Sequence, residues 1–346
     1  MKILHLLQSN RFSGAENVVC QIIGMMKNES DIEMVYCSSD GQIREAMRER
    51  QIQFIPLNRF SIGEIKQVLK KEKPDIIHAH DMRASFYAAL ACGNIPLVSH
   101  IHNNSFDSRG VSAKSIAYIF AAIKARHIFW VSQSSFDGYA LHKFFKKKSS
   151  VLYNIVDVDA LIKKMNLDDN EYDYDVVYIG RLTYQKNPQR LIKIFRLVKE
   201  RMPNIKFAVV GTGDMEDETK LLVSEYNLNK NVYFLGFQSN PLKIMYDSKV
   251  MIMCSRWEGT PMCALEAMSL GVPIVSTPTD GLCELVQQGE TGFLENDNDV
   301  FADRITEIIS NVDMRERLSK NSLRRFSEIN DIENYKDVLN ECYRKK

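Results

Sequence analysis

The chain has 346 residues, 45% of them hydrophobic, and its 45 basic side chains nearly balance its 44 acidic ones. This length exceeds that of one ordinary hydrophobic core and predicts two domains of roughly 100 to 200 residues each. The formal net charge of +1 argues against a protein that binds nucleic acid through bulk positive charge.

The cysteines and the first residues predict a cytoplasmic protein. Seven cysteines without a C-x-x-C pair form neither a zinc spacing nor a disulfide framework, which favours a reducing compartment. Met1 leads directly into the strand-like sequence KILHLL, without the pattern of a secretory signal. The most apolar region, 116–131, contains Lys124, Arg126 and His127 and is shorter than the roughly 20 residues that span a bilayer.

In the first half of the chain, short apolar runs alternate with helical patterns, which is typical of a parallel sheet covered by helices. The predicted strands are residues 2–7, 33–38, 53–57, 76–80, 97–101, 127–131 and 150–152. A helix is predicted over 15–27, where Val18, Ile22 and Met26 recur on one face. These elements predict a doubly wound α/β domain.

A second alternating series follows a polar, acidic stretch at 166–175. Its predicted strands are residues 175–179, 206–210, 232–235, 250–254 and 273–276. We therefore predict two doubly wound α/β domains, 1–160 and 161–328, and a terminal helix within 329–346. In such sheets ligands bind beyond the carboxyl ends of the strands, so the loops at those ends are the candidate sites.

The loop after the strand VVYI carries two cations, Arg181 and Lys186, five positions apart. Both could face one pair of phosphate groups, and the alternative is that they are solvated surface charges, as most arginines and lysines are. The later turn GTGDME at 211–216 has Glu216 where a dinucleotide-binding turn would have its third glycine. A nicotinamide-dependent dehydrogenase is therefore not favoured.

Residues 258–276 read EGTPMCALEAMSLGVPIVS and predict the start of a helix at the end of a loop. Gly259 and Thr260 suit a turn, and Pro261 suits the first helical position. A helix is predicted from Met262 to Leu270. The free backbone N–H groups at such a helix start, and its positive dipole end, favour a phosphate group.

Two carboxylates flank this helix start. Glu258 precedes the loop and Glu266 lies about two turns into the helix. Carboxylates repel phosphate, so we expect them to accept hydrogen bonds from hydroxyl groups instead. Together with the helix start, they predict a ligand that carries both phosphates and sugars.

The segment 258–266 resembles the Glu-x7-Glu motif of retaining glycosyltransferases of the GT4 family. Further matches to that family are SGAE at 13–16, HAHD at 78–81, GRLTYQKN at 180–187, VVGTGD at 209–214, FLGF at 234–237 and TGF at 291–293. The resemblance covers nearly the whole chain and implies the GT-B fold, two Rossmann-like domains that face a central cleft. It also implies an acceptor-side first domain, a second domain that binds the nucleotide sugar, and a terminal helix that returns to the first domain.

In the second domain, the resemblance implies a role for each matching residue. Arg181 and Lys186 are expected to bind the donor diphosphate, Glu266 the ribose hydroxyls, and Glu258 the transferred sugar. The backbone N–H groups of the helix start are expected to add to phosphate and sugar recognition, and the FLGF loop to read the nucleotide base. These N–H groups are those of Thr260, Met262 and Cys263. Gly259 and Pro261 of the same turn are also expected to contact the nucleotide sugar, and Phe237 and Gln238 belong to the base-reading loop.

In the first domain, the resemblance points to His102 and Gly14. His102 matches the family histidine that faces the donor sugar, and the alternative is a histidine packed at a strand end. Gly14 opens the first helix and admits a phosphate close to the backbone. The family usually has two adjacent glycines here, whereas this chain has Ser13 before Gly14.

Four pairs of residues resemble metal sites without completing one. The Asp-x-Asp pairs at 173–175 and 297–299 are explained better as solvated loop acids. The two His-x-His pairs at 78–80 and 100–102 suggest zinc, but no nearby cysteine or carboxylate set supplies the remaining ligands. We therefore predict no metal cofactor.

The resemblance implies a metal-independent retaining transferase, similar to those of bacterial polysaccharide synthesis. It would move a hexose or N-acetylhexosamine from a nucleotide diphosphate, with UDP expected, to a carbohydrate or lipid-linked glycan acceptor. The acceptor pocket is expected in loops 81–85 and 103–112. A sugar-nucleotide epimerase and a non-catalytic, glycan-binding partner subunit remain the alternatives.

A basic run with aromatic residues is a candidate for peripheral membrane contact. Lys143, Lys146, Lys147 and Lys148 surround a pair of phenylalanines. They either contact anionic lipid, together with the helix around 116–123, or form a solvated helix end. The first alternative would place the protein on the cytoplasmic face of the membrane.

Overall fold

A computed structural model describes residues 1–102, 109–110 and 112–345 of the chain. It divides the chain into two units. The first consists of Met1–Ile155 and Ile332–Lys346, and the second of Val156–Asp331.

The first unit contains a seven-stranded parallel sheet. Its strands are β1 Lys2–Leu6, β2 Glu33–Ser39, β3 Phe54–Leu57, β4 Ile76–His80, β5 Leu97–Ile101, β6 His127–Trp130 and β7 Ser149–Val151. They lie in the order β3-β2-β1-β4-β5-β6-β7. The strand order reverses between β1 and β4, which is the kind of position where ligands bind in open α/β sheets.

Helices cover both faces of this sheet. They are α1 Gly14–Met25, α2 Ile43–Glu49, α3 Ile62–Glu72, α4 Asp81–Ala91, α5 Ala113–Lys124 and α6 Gln133–Gly138, with a 3-10 helix at His142–Lys148 and a C-terminal helix at Ile332–Arg344. Local capping starts several of them. Ser61 accepts a hydrogen bond from the Glu64 backbone at α3, and Ser112 and Ser115 form a reciprocal capping box at α5.

The C-terminal helix belongs to the first unit. Its Tyr335 and Leu339 are buried, and the Tyr343 hydroxyl lies 2.7 Å from Nδ1 of His78. Arg344 also forms an ion pair of 2.8 Å with Asp31. An apolar stripe and two polar contacts therefore hold the end of the chain against strands formed by its beginning.

The second unit contains a six-stranded parallel sheet. Its strands are β8 Val176–Ile179, β9 Phe207–Val210, β10 Val232–Gly236, β11 Val250–Met253, β12 Ile274–Ser276 and β13 Gly292–Leu294. They lie in the order β10-β9-β8-β11-β12-β13. Strand β13 was not predicted from the sequence.

The helices of the second unit are α7 Val158–Met165, α8 Pro188–Arg201, α9 Glu216–Glu225, α10 Leu242–Asp247, α11 Met262–Ser269, α12 Asp280–Leu285, α13 Asn298–Ser310 and α14 Val312–Ile329. They alternate with the strands as in the first unit. The prediction of two doubly wound α/β domains is confirmed by this architecture.

The limits of the units differ by a few residues from the predicted domain limits. Helix α7 lies in the second unit, where it packs against α10 and Lys164 donates a 2.6 Å hydrogen bond to the Ser239 carbonyl. The side chain of Asn330 bonds both backbone groups of Val156, at 2.8 and 2.9 Å. These contacts place the division before Val156 rather than after residue 160, and extend the second unit to Asp331.

No helix among the described residues is both long and apolar enough to cross a bilayer.

Candidate functional site

The candidate site of the second unit lies in loops that follow β8, β9, β10, β11 and β12. The loops after β8 and β9 touch through their backbones. A Cβ atom placed on Gly211 would lie 2.1 Å from the Gly180 carbonyl oxygen, and one on Gly213 would lie 2.1 Å from that of Leu182. The backbone N–H of Leu182 donates to the Thr212 carbonyl at 3.0 Å. The two glycines of GTGD therefore serve this close approach between loops.

The loop after β10 joins the same group. Gly236 has a φ of 65°, in the left-handed region, and its carbonyl accepts a 2.7 Å hydrogen bond from the Gly211 backbone. Gln238 donates to the Leu235 carbonyl at 2.7 Å, and the Phe237 ring is 61% exposed. The structure thus brings the predicted base-reading loop beside the glycine-rich turn and leaves an aromatic ring accessible there.

A buried ion pair connects the loops after β8 and β11. Nζ of Lys186 lies 2.5 Å from Oε1 of Glu258, and the side chains are only 13% and 6% exposed. The Ser255 hydroxyl donates to the same Oε1 at 2.5 Å. Two predicted site residues separated by 72 positions in sequence therefore form one charged contact.

The ion pair keeps Lys186 protonated. Burial lowers the pKa of its ammonium group, but the Glu258 carboxylate raises it further, so that the net shift is upward. A buried lysine without such a partner would tend to lose its proton. The site therefore holds a permanent positive charge that is balanced by one carboxylate.

Arg181 is exposed, in contrast to Lys186. Its guanidinium donates a long hydrogen bond of 3.4 Å to the side-chain oxygen of Gln185. Gln185 in turn donates to the Trp257 carbonyl at 3.0 Å and accepts from the Arg256 backbone at 2.8 Å. The loop that carries both cations is thus tied to the loop that ends in Glu258, while Arg181 itself faces solvent.

Helix α11 begins at Met262, as predicted, but Pro261 lies just before the helix and not at its first position. Pro261 is the N-cap residue, with an extended backbone (φ −71°, ψ 123°), and Met262 is the first helical residue. Proline fits this position because its fixed φ is compatible with extended backbone and it has no N–H to satisfy. The N–H groups of Met262 and Cys263 belong to the first turn, where no intrahelical acceptor exists.

One stripe of α11 is accessible. Cys263 and Glu266 are half-buried, whereas Met262, Leu265 and Met268 are buried. Because they are three positions apart, Cys263 and Glu266 lie on the same helix face. Burial raises the pKa of the Cys263 thiol to about 12, so this group stays neutral beside the ion pair.

The sequence analysis missed Asp280 and Gly281, which support the Gly259 turn. A carboxylate oxygen of Asp280 accepts a 2.9 Å hydrogen bond from the Glu258 backbone. A Cβ atom on Gly281 would lie 1.8 Å from the Gly259 carbonyl oxygen, so that only glycine fits there. The sequence signal for both was the Thr-Asp-Gly turn that follows β12, at the carboxyl end of a strand.

The Asp-x-Asp pairs have structural contacts. Asp173 forms a 2.6 Å ion pair with Lys206, and Asp175 forms one of 2.7 Å with Lys249. Asp297 caps the start of α13. Asp173, Asp297 and Asp299 are exposed, in agreement with the expected solvated acids, and Asp175 is half-buried in its ion pair.

In the first unit, Ala15, which follows Gly14 in α1, and the residues after β4 border a pocket of about 340 Å³. Gln8, Glu16 and Asp81 contribute to its lining. A Cβ atom on Gly14 would meet no heavy atom within 4 Å, so the first turn of α1 has open space beside its backbone. The predicted acceptor loop 81–85 starts α4 at this pocket, whereas most of loop 103–112 lies outside the described residues.

His102 lies at the carboxyl end of β5 and is almost fully buried, with 8% exposure. Its backbone N–H donates to Asp81 at 2.9 Å, and its Nε2 lies 2.8 Å from Nδ1 of His80. Burial lowers the pKa of His102 to about 3, which keeps the ring neutral near pH 7.

The two His-x-His pairs meet His5 in one buried cluster. The ligand nitrogens of His5, His78 and His80 lie within 4.8 Å of one another, and so do those of His80, His100 and His102. Both groups contain imidazoles alone among the described residues. The parallel register pairs His5 with His78 and His80 with His100, which explains why the ring centroids of the two pairs lie only 5.0 and 5.6 Å apart, with the rings tilted against each other.

Comparisons with known proteins agree with this architecture. The family model described as Glycosyltransferase Family 4 matches residues 12–160, and the one described as Glycosyl transferases group 1 matches residues 159–325. An uncharacterised glycosyltransferase of Methanocaldococcus jannaschii is 30% identical over 247 residues, which cover 64% of this chain and 61% of the relative.

Two further comparisons extend over most of the chain. The UDP-Gal:alpha-D-GlcNAc-diphosphoundecaprenol alpha-1,3-galactosyltransferase of Escherichia coli is 27% identical over 330 residues, 87% of this chain and 85% of that enzyme. The crystal structure of Anabaena HepE in complex with UDP and glucose has a TM-score of 0.85 at 22% identity, covering 99% of this chain and 98% of that one.

The two parallel-sheet units have the GT-B fold of glycosyltransferases. Within that class, the chain belongs to the GT4 family, since the two family models together extend from residue 12 to residue 325. The resemblance stated from the sequence motifs is thereby confirmed.

Proposed function

We propose that this protein is a retaining, metal-independent glycosyltransferase of cell-surface polysaccharide synthesis. It moves a hexose or N-acetylhexosamine from a UDP-sugar to a carbohydrate or lipid-linked glycan acceptor. The observation that carries the proposal is the buried Lys186–Glu258 pair beside the start of α11, with Arg181 exposed on the same loop. This arrangement offers fixed positive charge, helix polarity and carboxylates within one site.

The positive groups stabilise the departing diphosphate. When the bond between the sugar C1 and the diphosphate oxygen breaks, the electron pair and negative charge go to the diphosphate. Lys186, Arg181 and the N–H groups of the α11 first turn neutralise that charge without rearranging. The acceptor oxygen forms the new bond to C1 on the face that the diphosphate leaves, and its proton goes to a phosphate oxygen of the leaving group.

Glu258 changes partners when the donor binds. In the structure, its Oε1 is occupied by Lys186 and Ser255. A diphosphate competes for the Lys186 ammonium, and Glu258 then accepts hydrogen bonds from the hydroxyls of the transferred sugar. No carboxylate acts as a covalent nucleophile in this scheme.

The remaining predicted residues recognise the nucleotide and the sugar. Glu266 accepts hydrogen bonds from the two ribose hydroxyls, from the accessible stripe of α11. Phe237 and Gln238 border the base, and Gly14 admits phosphate near the first turn of α1. His102 is assigned a hydrogen bond to the donor sugar.

The choice of UDP is supported by two similar proteins. The Escherichia coli relative is named for a UDP-galactose donor, and the Anabaena structure contains UDP and glucose. Thermal shifts measured with UDP-, GDP- and ADP-sugars test the choice, because a ligand stabilises only the protein that binds it. We expect the largest shift with a UDP-sugar, and an equal or larger shift with another nucleotide would contradict it.

Turnover assays separate this function from the alternatives. Purified protein is incubated with a panel of sugar nucleotides, and released nucleotide diphosphate is measured with and without candidate acceptors, in the presence and absence of EDTA. A transferase releases diphosphate in an acceptor-dependent and EDTA-insensitive manner. An epimerase converts the donor without an acceptor, and a non-catalytic subunit releases nothing.

The membrane contact is supported by an exposed apolar stripe in the first unit. On α5, Ile116, Phe120 and Ile123 are 53%, 46% and 65% exposed, at positions that share one helix face. Phe144 is 81% exposed within the basic 3-10 helix. We propose that these residues dock the protein on anionic lipid, where acceptor glycans are anchored.

Liposome flotation tests the docking surface. Vesicles with acidic lipids are expected to carry the protein, and vesicles of neutral lipids to carry much less, since the lysines contribute only at a negative surface. An Ile123→Ser, Phe144→Ser double variant should remain in the soluble fraction. Equal flotation of this variant and the wild type would rule out the surface.

A further inference from the structure

Three buried histidines and one methionine form a continuous chain in the first unit. Sδ of Met34 lies 3.4 Å from Nε2 of His5, and Nδ1 of His5 lies 3.0 Å from Nε2 of His80. Nδ1 of His80 then lies 2.8 Å from Nε2 of His102. The chain crosses β2, β1, β4 and the carboxyl end of β5, and it uses both ring nitrogens of His5 and His80.

Each of these imidazoles is neutral. His5, His80 and His102 are 0%, 2% and 8% exposed. Burial lowers the pKa of His5 and of His102 to about 3, and it lowers that of His80 as well. A neutral imidazole has one N–H donor and one lone pair, so each ring can donate only once along the chain.

Met34 determines the direction of the chain. A thioether sulfur has no hydrogen and acts only as an acceptor, so the N–H of His5 is on Nε2. The lone pair on His5 Nδ1 then requires an N–H on Nε2 of His80, and the lone pair on His80 Nδ1 requires one on Nε2 of His102. The opposite direction would place a nitrogen lone pair against the lone pairs of sulfur.

We propose that the Met34–His5–His80 chain holds His102 in the tautomer whose Nδ1 is a hydrogen-bond acceptor, ready for a hydroxyl group of the bound sugar. Nδ1 of His102 is buried and has no hydrogen-bond partner among the described residues. It lies at the carboxyl end of a strand, where ligands bind in open α/β sheets. The identity of the hydroxyl-bearing ligand rests on the proposed function.

In this scheme, His102 contacts the ligand, and the other three are positioning residues. The backbone N–H of His102 donates to Asp81 at 2.9 Å, which fixes the residue from a second direction. In the other tautomer, Nδ1 of His102 would carry a hydrogen. It would then donate to an acceptor atom of the ligand and could not accept a hydrogen bond from a ligand hydroxyl group. Tautomer selection is thus a way to specify which sugar group is recognised.

A metal ion is the competing explanation for clustered histidines. The 2.8 Å separation between the His80 and His102 nitrogens has the length of a hydrogen bond. Two nitrogen ligands of a tetrahedral zinc ion would be roughly 3.3 Å apart, given bonds of about 2.0 Å. No carboxylate or thiolate of the described residues joins either histidine group to balance a doubly charged ion. The geometry therefore favours the hydrogen-bonded chain.

Nitrogen NMR of the full-length protein reads the tautomers directly. In a sample labelled with ¹⁵N-histidine, ring nitrogens that carry a hydrogen and those with a lone pair resonate in separate ranges, and single-histidine variants assign the signals. We expect N–H on Nε2 and a lone pair on Nδ1 for all three rings. An N–H on Nδ1 of His102 would overturn the proposal, and so would signals that change with EDTA together with stoichiometric metal.

The variant Met34→Leu removes the acceptor at the start of the chain, and Met47→Leu is the matched control in the same unit, away from the histidines. We expect Met34→Leu to give a mixture of His102 tautomers, whereas the control keeps the wild-type signals. Unchanged tautomers in a folded Met34→Leu variant would show that the sulfur does not set the direction.

Replacement of His102 tests the acceptor itself. In His102→Asn, the amide oxygen can replace Nδ1 as an acceptor, whereas His102→Leu offers none. We expect KM for the donor to rise about tenfold in His102→Leu and much less in His102→Asn. Equal KM values for the two variants would exclude the acceptor role. If neither variant nor the wild type turns over, the proposed function fails while the NMR result still decides the tautomer.

Discussion

The two units share one architecture but bury polar groups in different ways. All seven histidines of the chain lie in the first unit and none in the second. Five of them, at positions 5, 78, 80, 100 and 102, are buried. The second unit instead buries a charged pair, Lys186 and Glu258.

The difference follows from the proton chemistry of the side chains. An imidazole has an ordinary pKa near 6.5, so at neutral pH it can be buried by losing its proton at little cost. A lysine ammonium loses its proton only near pH 10, and its burial therefore needs an opposite charge. The first unit thus buries neutral imidazoles, and the second buries a pair of opposite charges.

Removal of Lys186 should have the largest effect on the charged side of this comparison. In Lys186→Ala, the Glu258 carboxylate stays buried without its partner, and the leaving diphosphate loses a cation. We expect turnover to fall about 10³-fold and the free energy of unfolding to fall by about 3 kcal/mol. Nucleotide release at saturating donor and urea denaturation measure the two effects.

The exposed residue Lys193 on α8 provides the control, since Lys193→Ala removes an equal charge outside the site. In the double variant Lys186→Ala, Glu258→Gln, stability should recover because the unpaired charge is gone, whereas turnover should not. Near-normal turnover of Lys186→Ala, with and without EDTA, would remove the basis of the proposed mechanism.

Acid should destabilise the first unit before the second. Burial lowers the pKa of His5 and of His102 to about 3, and it also lowers those of His78, His80 and His100. Between about pH 6.5 and pH 3 the unfolded chain therefore binds more protons than the folded one, so stability is lost as pH falls. Each histidine contributes a slope of up to about 1.4 kcal/mol per pH unit.

The two tryptophans allow the units to be followed separately. Trp130 lies on β6 of the first unit and Trp257 in the second. Urea denaturation at pH 7, 6 and 5, monitored by fluorescence of Trp257→Phe and Trp130→Phe variants, reports each unit by its remaining tryptophan. If both units lost the same stability as the pH falls, the buried histidines would not be the cause of the acid sensitivity of the first unit.

Arg181 should show that charge can act on turnover without affecting stability. Its side chain is exposed, so Arg181→Ala leaves no buried charge unpaired. We expect turnover to fall about 10²-fold and the urea midpoint to stay within error of the wild type. If Arg181→Ala lost as much stability as Lys186→Ala, the difference in burial between the two cations would not determine their effect on stability.

The smallest expected effects are those of two glycine-to-alanine substitutions on stability, one in each unit. Gly281→Ala places a Cβ atom 1.8 Å from the Gly259 carbonyl oxygen, whereas Gly14→Ala meets nothing within 4 Å. We expect Gly281→Ala to destabilise the protein by about 1 to 3 kcal/mol, and Gly14→Ala to leave stability unchanged or slightly raised. Urea denaturation of both variants measures this, and a reversed order would refute the packing argument.

Much of the fold could be predicted from the sequence because its signals are local. Twelve strands were located within one or two residues of their observed ends, since buried parallel strands appear as short apolar runs between turn residues. The exception is β13, an edge strand of three residues whose sequence was noted only as part of the family match TGF. The predicted domain limit after residue 160 differs from the observed one, because the assignment of α7 to the second unit depends on its packing against α10, which is not a local signal.

The GT4 motifs and the strand-end positions singled out Arg181, Lys186, Glu258 and Glu266 in the sequence. They gave no sign of a direct bond between Lys186 and Glu258. Asp280 was missed because its function is to hold the Glu258 backbone, a contact between residues 22 positions apart. Such contacts depend on which loops meet at a sheet edge, and the strand order decides that.

The sequence by itself determined the alternation of strands and helices, the family motifs and the residue types of the site. Only the tertiary structure decided that His5, His80 and His102 form one chain and that Met34 lies at its start. The reason is physical: secondary structure follows from neighbours along the chain, whereas hydrogen bonds between strands depend on register, which the packing of the whole sheet sets.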